Sequence, residues 1–276
     1  DGGKSIKKII DKFKNKLNIE YYITKKPGQI RQRNFGLSKL DVNTKLVALF
    51  DDDIVLTRFA LKNMLSFWNN TDSNTAAVSF NIINEKSEKH TFIKGLMGLT
   101  GPYQGKILSS GRNTSILSIK KDIRSQWVSG GATVWKFNIL KNNYYPEKNV
   151  RWAILEDVIY SYPIGKIYPL YVSANSKVKH EHEYDLEMNR KYEYYGKSET
   201  LWRFYFVNKH KELSKYKYFW TQFSTIFARV ILGIIFFKKK HLDFAMGQII
   251  GLKKIFIAKI KNKDFNLLMK DSNFIN

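Results

Sequence analysis

No cysteine occurs in this chain of 276 residues, which excludes disulfide staples, thiolate zinc sites and cysteine nucleophiles and leaves any metal to oxygen and imidazole ligands. The same absence fits a reducing compartment. Acidic residues are scarce as well, 24 Asp and Glu against 47 Lys and Arg, and the resulting formal charge of +23 asks for an anionic partner: nucleic acid, a phospholipid surface or a phosphorylated substrate. There is no secretory signal, no internal repeat and no low-complexity linker. The chain opens on Asp1-Gly2-Gly3 rather than methionine, so it is expected to start inside a longer protein. At 43% hydrophobic and 15% aromatic it is a folding chain, long enough for one large domain or a domain with an appendage.

Residues 46–56 organise the rest. Five apolar residues, Leu46 to Phe50, run into Asp51, Asp52 and Asp53, and apolar residues resume at once. Three carboxylates at the end of a buried strand would repel one another unless a cation or a row of donors neutralises them. Mg2+ or Mn2+ suits such hard ligands, and Asp51 and Asp53, two apart on an extended chain, project from one side. An Asp-rich turn after a strand is the plainer alternative.

Before the triplet, an amphipathic helix is expected with Ile6, Ile9, Ile10, Phe13 and Leu17 on one face, then a short strand over 19–24 and a cationic helix containing Arg31 and Arg33. After it, a helix over 57–68 would turn Leu61, Met64, Leu65 and Trp68 inward, and a strand is expected over 76–83. Gly95, Gly98, Gly101, Gly105 and Gly111 mark a loop that either approaches a ligand or simply connects. A strand is expected over 126–129, a helix from Ala132 to Leu140, a helix after Glu156-Asp157, and a last strand over 168–178 that delivers His180 and His182. Glu156-Asp157 alone reads equally as a helix cap, and the histidines as exposed side chains.

Beyond Tyr184 the chain becomes basic, aromatic and helical. Between 219 and 237 the strongly polar residues are Gln222 and Arg229, and Lys238-Lys239-Lys240 closes the stretch. An in-plane membrane helix anchored by lysines fits this pattern; a buried helix and a short span carrying Arg229 are the alternatives. A further helix over 242–260 carries Gly247 and Gly251 on one face, which would allow close helix packing.

With these pieces in order, the chain resembles the inverting family 2 glycosyltransferases with a GT-A fold, over residues 1–182. Asp1-Gly2-Gly3 looks like the end of the family's Asp-Asp-Gly-Ser segment, Arg33-Asn34-Phe35-Gly36 like its Ala-Arg-Asn-x-Gly helix start, and Asp51-Asp52-Asp53 like its DxD element. Gly130-Gly131 looks like the glycine loop under the sugar, Glu156-Asp157 like the Glu-Asp motif, and His180 stands where many members place a metal ligand. The family's first strand and the helix after it are missing, so the domain is expected to be N-terminally incomplete.

The resemblance implies an α/β GT-A domain over 1–184 and a basic, helical, membrane-associated region over 185–276. It implies donor contacts from Asp1, Arg33, Asp51, Asp52, Gly130 and Gly131, a divalent metal (Mn2+ or Mg2+) on Asp53 and His180, and Asp157 as general base assisted by Glu156. Trp127 and Trp152 flank these motifs and could stack on sugars or lie in the core. The implied partners are a nucleotide-sugar donor, a glycan or lipid-linked saccharide acceptor and an anionic membrane, with no nucleic acid, on the cytoplasmic face of the inner membrane. A non-catalytic relative and a basic nucleic-acid-binding protein are the competing classes.

Overall fold

In the computed structural model, which describes residues 6–24, 28–143, 145, 154–181, 192–269, 271 and 274, the chain is α/β, a mixed sheet flanked by helices. Helices α1 (Lys7–Phe13) and α2 (Gln29–Leu37) precede strands β1 (Leu46–Phe50) and β2 (Ile54–Leu56). Next come α3 (Ala60–Asn70), β3 (Ala77–Ile82), the short α4 (Phe92–Leu96), β4 (Ile123–Ser125) and β5 (Ala132–Lys136). Then α5 (Phe137–Asn142), α6 (Glu156–Gly165) and β6 (Leu170–His180) lead to four C-terminal helices: α7 (Tyr192–Lys209), α8 (Lys215–Ile235), α9 (Lys239–Ile260) and α10 (Phe265–Leu268).

The strands lie in the order β1-β5-β3-β6-β2. β3 and β6 run parallel, and the other pairs are antiparallel. One margin of β6 pairs with β4 at Leu170 to Val172 and with β2 at Val178 to His180, so the β1–β2 turn bridges from one end of the sheet order to the other. β3 buries all six of its residues, as a strand with neighbours on both sides and helices over its faces must.

Several expectations are corrected. Residues 19–24 form no strand; they run as an irregular segment with Tyr22 against Phe35 of α2, and no described strand lies beside them to pair with. α1 is amphipathic in sequence but buries none of its residues. β1 is an edge strand, half-buried, because it pairs with β5 alone. α3 turns Ala60, Met64, Phe67 and Trp68 towards the core and leaves Leu61 and Leu65 exposed, because they lie to the other side of that stripe. The strand expected over 126–129 is β4, three residues earlier. Ala132-Thr133-Val134-Trp135-Lys136 is a strand, with helix only from Phe137: β-branched and aromatic residues suit a strand held between β1 and β3, and all but Lys136 are buried.

One hydrophobic cluster unites the α/β part with the C-terminal helices, packing Trp127, Val158, Tyr162 and Val172 against Trp202, Phe206, Tyr218 and Ile255. α7 and α9 approach until backbones touch. A Cβ on Gly196 would collide with the Phe244 carbonyl, one on Gly247 with the Glu193 carbonyl, and one on Gly251 would lie 2.9 Å from Thr200. The glycine-bearing loop is likewise packed: Gly98 sits against Thr221 and Gly111 against Val207, both with positive φ.

Candidate active site

The residues singled out in the sequence gather where β1 ends and α6 begins. β1 pairs with β5 through Phe50 and Ala132, and the Asp51 amide donates to the Gly131 carbonyl at 2.8 Å, which lays the acidic turn over Gly130-Gly131. The contact is too close for any side chain at 131, because a Cβ there would collide with the Asp51 carboxylate. At Gly130 a Cβ would lie 3.1 Å from an Arg33 nitrogen and 3.3 Å from Glu156 Oε1. The glycines thus let the backbone enter a cluster of charges. Ser161 fixes the other side, its Oγ accepting from the Val128 amide at 3.1 Å and donating to the Asp157 carbonyl at 2.6 Å.

Arg33 is the hub. It lies in the middle of α2 rather than at a helix start, and its guanidinium donates to Asp51 Oδ1 at 2.8 Å and to Glu156 Oε1. Gln29, one turn back, reaches the same Asp51 oxygen at 3.4 Å. Asn34 exchanges two hydrogen bonds with the backbone of Tyr145, whose ring stacks on Tyr160 with centroids 3.6 Å apart and also underlies Arg33. This tie between α2 and residue 145 was not foreseen from the sequence.

Glu156 and Asp157 occupy the first turn of α6, a favourable place for carboxylates beside the helix dipole. Leu155 before them is in the left-handed region at φ 62°, a backbone cost of about 1–3 kcal/mol of the kind that collects at functional sites. Glu156 is 9% exposed, and its Oε2 is buried without a hydrogen-bond partner. Burial pushes its carboxyl up to about 7 even though Arg33 pulls the other way. Burial likewise pushes Asp157 up to about 6, opposed by the Val158 amide, which donates to Oδ1 at 2.8 Å, and by Arg33. Both groups therefore change protonation near neutral pH, where a carboxylate can trade protons with a substrate hydroxyl.

A second cluster forms around the other end of the acidic turn. The β2–β6 register sets Ile54 beside His180, and His180 Nε2 lies 3.1 Å from Asp53 Oδ1. His180 Nδ1 lies 3.0 Å from Glu85 Oε1. Asn84 holds the strand end with two hydrogen bonds to the His180 backbone, which brings Glu85 into place. Glu85 was missed in the sequence; the available signal is that β3 and β6 are parallel neighbours, so residues just past their carboxyl ends meet. Two ligands sharing one ion with bonds of about 2.1 Å stand about 3 Å apart, so Asp53 and His180 fit as a pair of ligands, with Glu85 orienting the imidazole from behind. Among the described residues no group of three or more His, Asp or Glu side chains is set to hold a metal ion.

Asp52 is exposed between the two clusters. Trp127 is buried, its indole donating to the Thr114 carbonyl at 3.1 Å, so it belongs to the core. Asp1, Trp152 and His182 lie outside the described residues. Comparison with protein-family models finds no match to this chain, and a search of curated proteins finds none either.

Proposed function

We propose that the protein is an inverting, metal-dependent glycosyltransferase of the family 2, GT-A type, moving a sugar from a nucleoside diphosphate to an acceptor hydroxyl. The observation that carries this reading is the meeting of Arg33, Asp51, Gly130, Gly131, Glu156 and Asp157 at one place, with Asp53 and His180 paired beside it. Residues from four separate stretches of sequence thus bring their charges together around two glycines.

The chemistry asked of the site is a displacement at the anomeric carbon. Asp157, deprotonated above about pH 6, takes the proton of the acceptor hydroxyl as its oxygen bonds to that carbon and the bond to the diphosphate breaks. Attack from the opposite face inverts the configuration. Glu156 hydrogen-bonds the acceptor through its unpartnered Oε2. Arg33 holds Asp51 and Glu156 in place and keeps the site from flying apart electrostatically. Asp51 and Asp52 face the donor, with Gly130 and Gly131 letting it approach the backbone. Asp53 and His180 would hold Mn2+ or Mg2+, which when bound supplies Lewis-acid neutralisation of a leaving diphosphate.

The C-terminal helices support a membrane setting for this chemistry. α8 is long and apolar enough to cross a bilayer by length and composition, yet it packs one face on α7 and α9. Its other face leaves Trp220, Phe223, Phe227, Ile234 and Ile235 exposed, with Phe237 94% exposed just before Lys238. An exposed apolar face rimmed by lysines suits a helix lying in an anionic interface, on the cytoplasmic side where nucleotide sugars are made, with a glycan or lipid-linked acceptor. Asp157→Asn tests the reading: nucleotide binding is retained and sugar transfer falls at least ~100-fold, the usual contribution of general-base catalysis. Transfer unchanged in that variant would overturn the assignment of the base.

A further inference from the structure

β6 is interrupted in its middle, and side chains hold the interruption open. Along the margin away from β3, β4 pairs with Leu170 to Val172 and β2 with Val178 to His180, so residues 173–177 have no strand partner there among the described residues. On the margin towards β3 the register jumps from Phe80–Ser173 to Asn81–Lys177, which throws out Ala174, Asn175 and Ser176 as a bulge. Backbone groups released by a bulge need other partners. The Ala174 amide donates to Asp122 Oδ1 at 2.7 Å, and the Ala174 carbonyl accepts from Asn81 Nδ2 at 3.1 Å. From the side of α3, Asn63 Nδ2 donates to the Asn175 carbonyl at 2.7 Å, and just before the helix the Thr57 hydroxyl donates to the Lys177 carbonyl at 2.9 Å. Inside the bulge, Ser176 Oγ donates to Ser173 Oγ at 2.9 Å.

A cleft of about 530 Å³ opens over this gap, between α3, the turn that follows it and the bulge. Its polar side chains are oriented in advance. Asn70 donates one amide hydrogen to the Ser66 carbonyl one turn back at 2.8 Å, and Asp72 Oδ1 accepts from the Asn74 amide at 3.0 Å. Asp72 and Asp122 each have one carboxylate oxygen fixed in this way, and Asn63 and Asn70 one amide hydrogen. A carboxylate has a second oxygen, and an amide a second hydrogen and an acceptor oxygen. Asn70, Asp72, Asp122 and Asn175 are all exposed, so these groups are open to a ligand. Phe67 and Tyr171 supply an aromatic wall, their ring centroids 5.6 Å apart.

The lining also says which ligand. None of the described lining residues is basic, although the chain carries a formal charge of +23, and two carboxylates repel a phosphate or any other anion. No group of three metal-ligating side chains gathers here or elsewhere among the described residues. Oriented amides and carboxylates that accept from and donate to neighbouring hydroxyl groups, beside aromatic rings for an apolar face, match a sugar. We propose that this cleft binds a neutral oligosaccharide. The proposal deepens the glycosyltransferase reading and rests on it for one point, that the saccharide is the acceptor chain. From Asn175 the strand reaches His180 in at most about 17 Å, so a glycan of several sugars held in the cleft can extend to the site at the acidic turn.

The test separates binding from transfer. The protein is applied to an array of neutral, sulfated and phosphorylated oligosaccharides, and the strongest neutral binder is then titrated by calorimetry into wild type and into the double variant Asn70→Ala, Asn175→Ala. The expected result is selection of neutral chains and affinity at least ~10-fold weaker in the variant, the scale of two hydrogen bonds between neutral groups. Hydrolysis of nucleotide sugars, which needs no acceptor, should be equal in the two proteins. Should the double variant not fold, Asn175→Ala alone, at an exposed position of the bulge, carries the comparison. If wild type hydrolyses no nucleotide sugar but its glycan binding still falls in the variant, the transferase reading fails and the cleft stands as a saccharide site. No neutral glycan bound on the array, or equal affinity in wild type and the folded variant, overturns the proposal and leaves the bulge a structural feature.

Discussion

Replacing Arg33 with leucine separates the electrostatic role of the hub from its packing. The change leaves Glu156 buried, with Oε2 already unpartnered and Oε1 stripped of its ion pair, and it leaves Asp51 with Gln29 alone among its described side-chain partners. A buried carboxylate without a counter-ion escapes by taking up a proton. In the intact protein Glu156 titrates near 7, above the ordinary value of 4.5, so its ionisation already works against folding: the folded state binds the extra proton between those values, and stability declines as pH rises through that window. Without Arg33 the group stays neutral to higher pH, and the decline continues at about 1.4 kcal/mol per pH unit above 7 instead of levelling off. Near pH 5, where Glu156 is protonated with or without Arg33, the substitution costs the hydrogen bonds alone, about 1–3 kcal/mol. Near pH 9 it costs about 3 kcal/mol more. Urea unfolding at the two pH values measures this, and Glu156→Gln added to Arg33→Leu should remove most of the extra loss at the higher pH. A loss equal at both pH values, with no rescue by Glu156→Gln, would refute the electrostatic reasoning.

Transfer by the wild-type protein should fall about tenfold per pH unit below about 6, as Asp157 is protonated, and a pH–rate profile with no limb in that region would remove Asp157 as the base. Gly247→Val drives a side chain into the Glu193 carbonyl and should lower the melting temperature by about 5 °C or more, whereas Gly36→Ala, with nothing within 4 Å of its new Cβ, should leave it level or raised. Phe223→Ser and Phe227→Ser on the exposed face of α8 should each weaken binding to anionic vesicles about tenfold, from the loss of one inserted aromatic, read by sedimentation.

What could be read ahead of the structure was set by local pattern. β3, α6, β6, α8 and α9 stand within a few residues of where periodicity and capping put them, because each is long or uniformly apolar on its buried face. The facing glycines at 247 and 251 do mark a close helix contact. Misreadings arose where partners decide. Residues 132–136 have a composition compatible with either state and become a strand because β1 and β3 flank them. Residues 19–24 have strand character but no described neighbour to pair with. Met64 and Trp68 of α3 do face the core, while Leu61 and Leu65 were misplaced because the buried stripe runs through Ala60, Met64, Phe67 and Trp68 instead. The candidate site shows the same division. Asp51, Asp53, Glu156 and His180 were visible as polar residues at the ends of apolar runs, while Glu85, Gln29 and the clamp of Asn34 on Tyr145 depend on which strand ends and helices become neighbours. The Glu199–Arg203 pair stands at i,i+4 on α7, a spacing open to local reading, whereas Arg112 meets Glu199 only through the fold.

The most direct test of the central claim is hydrolysis of a panel of nucleotide sugars by the protein, with and without Mn2+, alongside an Asp53→Asn variant. The account predicts release of a nucleoside diphosphate from one donor, dependent on the metal and reduced at least ~100-fold in the variant, since Asp53 is one of the two ligands proposed among the described residues. Absence of both turnover and binding with every nucleotide sugar would contradict it, and equal turnover in Asp53→Asn would contradict the metal assignment.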